Sequence, residues 1–302
     1  MLFNLHNNGS EELQQVLGTW AASSDYSIIK TEIEAATEEL RNIVGSEIVL
    51  KAEKEYETEI AEHPLLNALR LPVACLAMMR QARLSILSHD ETGRKIKVND
   101  NEKIPFEWMI DRDDLAMRER YYRALDSLYL YLEKNETILW LSSVKNRRIK
   151  DSVIKDIYDF DSVYPLSGSY YTYYLLQNLV VEKQVEIAKY FGEFGTKVLS
   201  GSAPDDLQNL AKRASVISAL ITACERWSLS IFPLEIARRF SPTYQGNNAS
   251  NPAIMQEIDW YVEKLKKQLE GILKEAKSIS GEKTNTNLLP ENNPRNKFFT
   301  TV

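Results

Sequence analysis

Apolar residues recur at intervals of three and four along most of this chain, and the alternation typical of strands is rare. That spacing places apolar side chains on one face of an α-helix. One such stripe contains Ile29, Ile33, Ala36 and Leu40 and ends at Gly45, a residue type that commonly stops helices. No apolar run approaches the roughly 20 residues that a membrane-spanning helix needs. The sequence therefore predicts an all-α protein, a helical bundle with no membrane span.

The helical pattern occurs twice. In each half an amphipathic helix precedes a more apolar helix, an irregular polar segment and a long amphipathic helix, and the more apolar helices are expected to be the central ones. The amphipathic helix of the second half is expected to continue to Gly192, with an apolar stripe at Leu176, Val180, Ile187 and Phe191. Aligning Leu84 with Leu229 also aligns Ala74 with Ala219. Any two helical halves can be aligned at some offset, but one gap brings three helices and the turn into register. We therefore expect an internal duplication. The predicted organisation is an N-terminal arm at 1–25, a helical repeat at 26–134, a connector at 135–170, a second helical repeat at 171–277 and an extended C-terminal tail at 278–302.

The irregular segment of the first half reads "LSHDETGRKIKVNDNEKIPFEW". Its "DETG" sequence is a good turn, and the alternation that follows predicts a short hairpin or an extended surface loop. Exposed loops carry function more often than they carry core packing. After the loop, Asp113 and Asp114 favour the beginning of the long helix, because negative charge is stabilised at a helix N-terminus.

Composition argues against several classes of protein. The chain has 37 Lys and Arg against 43 Asp and Glu, a formal charge of −6, which disfavours a broad DNA-binding surface. The three histidines are scattered, so no metal site is predicted. The sequence has no Gly-rich phosphate loop, nucleophile elbow or Rossmann fingerprint, so no cofactor or catalytic residue is predicted. Cys75 and Cys224 lie in apolar helical patterns and are expected to stay free. The first residues lack the features of a signal peptide, which favours synthesis in the cytoplasm.

A cluster of tyrosines lies between the two halves, in "YPLSGSYYTYYLLQN". Tyrosine is a frequent anchor of protein interfaces, because it offers a large contact area at low entropic cost. An equally weighted alternative is that these side chains cover the core between the halves with their hydroxyl groups in water. A carbohydrate platform is a third alternative, and it would require secretion. The candidate interface residues of this cluster are Tyr170, Tyr171, Tyr173 and Tyr174.

The region from the loop into the long helix has a Gly-containing turn, a Lys-x-Pro-aromatic-Glu element and a helix of the type Tyr-x-Ala-Leu-Asp-x-Leu. The residues of these motifs are Gly93, Lys103, Pro105, Phe106, Glu107, Tyr122, Ala124, Leu125, Asp126, Leu128, Leu132 and Glu133. The motifs resemble those of a family of tailed bacteriophages and prophages of gut Bacteroidales, including crAss-like phages. The resemblance is close in the middle of the first half and extends elsewhere only in pattern.

The resemblance implies a non-enzymatic virion component, a head–tail connector, adaptor or ring protein at the portal vertex. Such a protein would form a homo-oligomeric ring, twelve-fold by analogy, contact the portal and other head or tail proteins, and line a channel through which DNA passes. The alternatives are a helical ligand-binding or regulatory protein that uses the Tyr cluster, and an enzyme with an acidic pocket. Residues expected to reach a neighbouring chain are Gly93, Lys103, Pro105 and Phe106 in the loop, and Leu288, Leu289, Phe298 and Phe299 in the tail.

Overall fold

A computed structural model describes residues 1–58, 63–85, 88–90, 93–95, 106–143, 152–226 and 255–280. Helices account for most of the described residues, which confirms the predicted all-α class. They form two units, each with its own hydrophobic core. The first unit contains α1 (Gly9–Leu17), α2 (Ser27–Val44), α3 (Ser46–Tyr56), α4 (Pro64–Ser85), α5 (Glu107–Asn135) and α6 (Thr137–Ser142). The second contains α7 (Ile157–Asp161), α8 (Tyr170–Ala188), α9 (Gly195–Ser200), α10 (Asp205–Arg226) and α11 (Met255–Ile279).

The first unit is built around α4, which packs against α2 on one side and α5 on the other. The apolar stripe predicted on α2 is buried here, and Ile29, Ala36 and Val44 are fully enclosed. Cys75 of α4 lies in the same core and is free, as predicted. Helix α4 therefore has the central position that its more apolar sequence indicated.

Residues 1–25, which the sequence indicated as an N-terminal arm, are part of this first core. Leu2 and Phe3 are buried, and α1 adds Leu13 and Leu17 to the same cluster. The buried guanidinium of Arg70 on α4 donates to the carbonyl oxygen of Leu2 at 2.8 Å, which fixes the segment to the centre of the unit. Burial of these apolar side chains and the long-range hydrogen bond explain why the segment packs instead of extending.

The second unit is built around α10, which packs against α8 and α11. The predicted stripe of α8 is buried at Leu176, Val180 and Ile187. The helix itself ends at Ala188 and continues as a 3₁₀ helix, Lys189–Phe194, in place of the α-helix expected up to Gly192. Gly192 has φ 53° and ψ −126°, a conformation that side chains disfavour, so the chain changes direction within the 3₁₀ segment.

The long helix α5 begins at Glu107, earlier than the acidic pair Asp113 and Asp114 indicated. Asp114 is instead an interhelical ion-pair partner, because Arg83 of α4 donates to its Oδ2 from Nη2 at 2.9 Å. The prediction that Asp113 and Asp114 mark the beginning of this helix was therefore wrong. The ion pair with Arg83 on another helix, which the local sequence does not encode, explains Asp114.

Two three-residue strands lie between α4 and α5, where the turn sequence indicated a hairpin. Strand β1 (Ser88–Asp90) pairs antiparallel with β2 (Gly93–Lys95), and Asp90 lies opposite Gly93. Within the described ranges, no helix is long and apolar enough to cross a membrane. The same residues contain no group of three or more His, Cys, Asp or Glu side chains that could hold a metal ion.

Candidate functional site

The tyrosine cluster begins α8 and lies between the two cores. Ser169 caps the helix, since its side chain accepts a hydrogen bond from the N–H of Thr172. Tyr173 is buried in the second core, while Tyr170 and Tyr174 pack against both cores and Tyr171 packs against the first. We call this junction the aromatic seam; it comprises these four tyrosines of α8 together with Tyr129, Asp126 and Glu133 of α5 and Trp140 of α6.

Tyr174 is the most extensively bonded residue of the aromatic seam. Its ring stacks on Tyr129 with 4.7 Å between ring centroids, and Trp140 meets it edge-on at 5.1 Å. Its hydroxyl accepts a hydrogen bond from Nε1 of Trp140 at 3.0 Å and donates one to the Glu133 carboxylate. One side chain of the second unit is thus held by three residues of the first.

Asp126 of α5 binds the first turn of α8 from the other unit. Its Oδ1 accepts the backbone N–H of Tyr171 at 2.8 Å and the hydroxyl of Ser169 at 3.2 Å. Free N–H groups at a helix N-terminus attract negative charge, so this carboxylate stabilises the beginning of α8. The aromatic seam therefore joins the units by directed hydrogen bonds as well as by ring contacts.

These contacts show what the predicted tyrosines do in this chain. The contacts lie within the chain, between the two cores, for Tyr170, Tyr171, Tyr173 and Tyr174. This arrangement corresponds to the alternative in which the tyrosines cover the core between the halves. The hydroxyl of Tyr174 is hydrogen bonded to protein groups, so it differs from the expectation of a hydroxyl left in water. Their use as anchors for another subunit is not favoured by this geometry.

Both carboxylates of the aromatic seam have raised pKa values. Burial is the main cause for Asp126, and the hydrogen bonds from Tyr171 and Ser169 offset part of it. Burial also raises the pKa of Glu133, the hydrogen bond from Tyr174 opposes the rise and the nearby charge of Asp156 adds to it. Burial disfavours the charged form of a carboxyl group, so each group resists ionisation in the folded protein.

These raised pKa values predict that mild acid increases the free energy of unfolding through these two carboxyl groups. A carboxyl group whose pKa is higher in the folded state binds more protons when folded, so stability rises as the pH falls through the folded pKa. The free energy of unfolding of the wild-type protein should therefore rise, relative to Asp126→Asn and Glu133→Gln, from about pH 7 toward the ordinary carboxyl pKa values near 4. Urea denaturation at a series of pH values measures this difference. A difference that shrinks on acidification would contradict the prediction.

The outer ends of α4 and α5 form a second candidate site. No described side chain in residues 78–85 of α4 or in residues 106–123 of α5 is fully buried, whereas Ala77 and Ala124 bound the buried parts of the two helices. The ion pair between Arg83 and Asp114 joins these ends. We call residues 78–85 and 107–123 the outer helix pair; β1 and β2 lie in the connection between its two helices.

Large apolar side chains are exposed at the end of the outer helix pair. Phe106 precedes α5 and is 66% exposed, Trp108 is 40% exposed and Met109 is 42% exposed. Leu84, near the end of α4, is exposed as well. Phe106, Trp108 and Met109, which are neighbours in the sequence, are called the apolar tip. Exposed apolar residues that occur together are a mark of interaction surfaces, while scattered single ones are ordinary.

The charged groups of the apolar tip come from the first turns of α5. The guanidinium of Arg112 lies over the ring of Trp108, 4.9 Å from its centroid. Asp111 and Asp113 are exposed, and neither has an ion-pair partner among the residues that the structure describes. Helical spacing places Asp111 beside Trp108 and Asp113 beside Met109. The apolar tip is therefore bordered by two carboxylates.

The remaining predicted interface residues have different outcomes. Phe106 lies in the apolar tip, and Gly93 lies in β2. Trp108 and Met109 belong to the tip but were not among the candidates, because nothing in their spacing distinguishes an exposed apolar pair from a buried one. The candidates that lie outside the described residues are Lys103, Pro105, Leu288, Leu289, Phe298 and Phe299.

The fold and the two sites define an all-α protein of two units, joined by an aromatic seam and carrying an exposed outer helix pair. No protein family, curated protein or solved structure matches this chain. The resemblance to virion proteins of Bacteroidales phages therefore stays a prediction from the sequence motifs.

Proposed function

We propose that this chain is a structural subunit of a phage virion, a head–tail connector, adaptor or ring protein that assembles at the portal vertex. It is made in the host cytoplasm and resides at the head–tail junction, where it contacts the portal and other head or tail proteins. The observation that carries the proposal is the outer helix pair with its apolar tip. The Gly-containing turn and the Lys-x-Pro-aromatic-Glu element of the resembling phage proteins lie in or next to this part of the chain, whereas their Tyr-x-Ala-Leu-Asp-x-Leu helix continues into the first core.

A ring subunit needs a rigid body and a separate contact element. Two cores joined by the aromatic seam supply the first property, because ring stacking and the bonds of Tyr174 hold the units together. The exposed apolar tip supplies the second. A contact between two different surfaces of identical chains is heterologous, and it closes into a ring when the rotation between neighbours permits. Twelve-fold closure is proposed by analogy alone.

The charge of the chain supports passage of DNA through such a ring. A formal charge of −6 disfavours adhesion of phosphate groups, because 43 Asp and Glu residues outnumber 37 Lys and Arg residues and repel the phosphates. DNA can then pass along the channel without sequence-specific contact.

The duplication belongs to the same proposal. Both units place a more apolar helix between two flanking helices, α4 between α2 and α5, and α10 between α8 and α11. The order along the chain is also the same. Superposition of 26–134 on 171–277 is expected to place α4 on α10 in the same direction; opposite directions would contradict a duplication. The partner expected for Leu84, Leu229, lies outside the described residues.

Removal of the outer helix pair tests the proposed role. Deleting residues 82–115 leaves both cores intact, because none of the described side chains in this range is buried. Four Gly or Ser residues can join Gln81 to Ala116, because packed helices lie about 8–10 Å apart. We expect a folded monomer whose melting temperature changes by less than about 4 °C. Sedimentation velocity of the wild-type chain and the deletion variant measures self-association, which the variant should lose.

Two results would contradict this proposal. A deletion variant that still forms the wild-type oligomer would show that the outer helix pair is not the assembly element. A wild-type chain that remains monomeric at all concentrations, and that does not associate with virion particles of the phage encoding it, would exclude a ring role. The Asp114→Asn variant serves as the control, because it breaks the exposed ion pair with Arg83 and leaves the apolar tip in place.

The alternative, a ligand-binding or regulatory protein that uses the Tyr-rich connector, has less support. Tyr174 already bonds Glu133 and Trp140, and Tyr173 lies within the second core. A ligand would have to displace these contacts between the two units.

A further inference from the structure

The charges and apolar residues of the apolar tip match those of another segment of the same chain. Residues 292–302 read "NNPRNKFFTTV" and contain Arg295 and Lys297 but no Asp or Glu. Both cations precede Phe298 and Phe299 in the sequence. The apolar tip has the opposite pattern, with large apolar side chains beside the exposed carboxylates of Asp111 and Asp113.

We propose that residues 292–302 of one copy dock on the apolar tip of a second copy. Phe298 and Phe299 would contact Trp108 and Met109, while the cations lie near the two carboxylates. Apolar burial supplies affinity in such a contact, and complementary charge fixes the orientation and speeds the encounter. The inference rests on the proposed assembly of this chain and identifies which two surfaces meet.

Arg112 does not cancel this complementarity. Its guanidinium lies over the Trp108 ring, where a cation–π contact holds it. Arg112 keeps its positive charge in this contact, but the exposed carboxylates of Asp111 and Asp113 outnumber it, so these three side chains together are negative.

The length of the segment that follows α11 permits contact with a neighbour. Helix α11 ends at Ile279, and an extended chain advances about 3.3–3.6 Å per residue, so residues 281–302 reach on the order of 70 Å. That is about twice the length of a 22-residue helix such as α10. Lys277 lies over Tyr190, so the segment departs from the second unit, whereas the tip belongs to the first.

The proposed contact joins two copies, and docking of residues 292–302 within their own chain is the alternative that the peptide experiment detects. Because the docking segment and the tip are different surfaces on different units, the contact between two copies is heterologous and leaves one tip and one segment unused. The unused surfaces can bind further copies. Repetition of the same contact then produces a ring or a chain of subunits.

Two full-length variants separate the two halves of the contact. Phe298→Ser with Phe299→Ser removes the aromatic anchors of residues 292–302. Trp108→Ser with Met109→Ser removes the apolar side chains that these anchors would contact. We expect each variant to self-associate at least about tenfold more weakly than the wild-type chain, as is usual for central aromatic contacts. An equimolar mixture of the two should form pairs, because one intact segment then meets one intact tip. Sedimentation velocity measures all three samples.

The matched control is Trp260→Ser. Trp260 is an exposed tryptophan of α11 with a cation, Lys264, over its ring, so it resembles Trp108 in both exposure and surroundings. Self-association of this variant should equal that of the wild-type chain. Circular dichroism shows whether each variant folds.

A labelled peptide of residues 292–302 gives a measurement that does not depend on assembly. It should bind the Phe298→Ser/Phe299→Ser chain, bind less after Asp111→Asn with Asp113→Asn, and bind less as salt rises. Unchanged binding to the Asp111→Asn/Asp113→Asn variant would overturn the proposed charge complementarity. This result would count even if the Trp108→Ser/Met109→Ser variant failed to fold.

The outcomes distinguish this inference from the proposed function. If the Trp108→Ser/Met109→Ser variant assembles as the wild-type chain does, the docking inference is wrong, and any ring forms through another surface. If the wild-type chain is monomeric and the peptide still needs Trp108, the segment docks within its own chain, which overturns docking between copies.

Discussion

Replacing Arg70 with alanine is expected to lower the free energy of unfolding by about 3–5 kcal/mol, because the change leaves a buried carboxylate without its cation. Nη2 of Arg70 donates to Oε1 of Glu12 at 2.7 Å, and Nε donates to the carbonyl oxygen of Leu2 at 2.8 Å. The other carboxylate oxygen of Glu12 accepts the N–H of Asn4 at 2.7 Å. Both charged side chains are almost fully buried.

The Arg70 guanidinium also packs between two aromatic rings. It lies 5.1 Å from the ring centroid of Phe3 and 4.5 Å from that of Tyr56, and the Tyr56 hydroxyl donates to Glu12. Alanine would remove these contacts together with the ion pair. Residues 1–25 should then leave the core, and limited proteolysis should cleave this segment first while chemical denaturation reports the loss of stability.

Arg83→Ala is the control for this prediction. Arg83 forms an ion pair with Asp114 at 2.9 Å, but its side chain is exposed, so its loss should cost no more than about 1 kcal/mol. Equal effects of the two substitutions would contradict the view that burial makes the Arg70 pair important.

Replacing Trp140 with alanine is expected to cost about 3–5 kcal/mol, the usual range for truncating a buried tryptophan. Trp140 is buried on α6, where it packs on Tyr129 with 5.5 Å between ring centroids. It also holds Tyr174 by an edge-on contact and by a hydrogen bond of 3.0 Å. The substitution therefore opens a cavity in the first core and removes a contact between the units.

Calorimetry should show the second consequence of this substitution. The wild-type units are expected to unfold together, whereas the Trp140→Ala variant should show two transitions, because each unit retains its own core after the aromatic seam weakens. Trp260→Ala removes an exposed tryptophan and should change stability by about 0.5 kcal/mol at most. A Trp140→Ala variant as stable as that control would show that the seam does not couple the units.

Patterns of apolar spacing were sufficient to predict the class of the fold. The stripe of α2 is buried where the intervals of three and four placed it, and α4 and α10 occupy the central positions that their apolar composition indicated. The prediction succeeded because an amphipathic helix must bury its apolar face, and the spacing of the apolar residues on that face can be read from the local sequence. The free state of Cys75 and Cys224 was predicted on the same local basis.

Partners distant in the sequence could not be predicted in this way. The ion pair of Glu12 with Arg70 joins α1 to α4. Residues 1–25, which were expected to form an N-terminal arm, are therefore part of the first core. Asp114 has the sequence features of a helix start but pairs with Arg83 on another helix. Local charge is the same whether an acidic residue caps a helix or bonds across two helices, so only the packing decides between them.

The tyrosines of α8 show the same limit at the candidate site. Their number was visible in the sequence, but two uses fitted it equally, an interface with another subunit or a junction within the chain. Tertiary structure shows the junction within the chain, because it brings Glu133 and Trp140 to the hydroxyl of Tyr174. Conversely, Trp108 and Met109 have the composition of core residues and became exposed because α5 continues beyond the body that would have covered them. Composition fixes how much apolar surface a helix carries, and the lengths and packing of its neighbours determine which part of that surface remains in water.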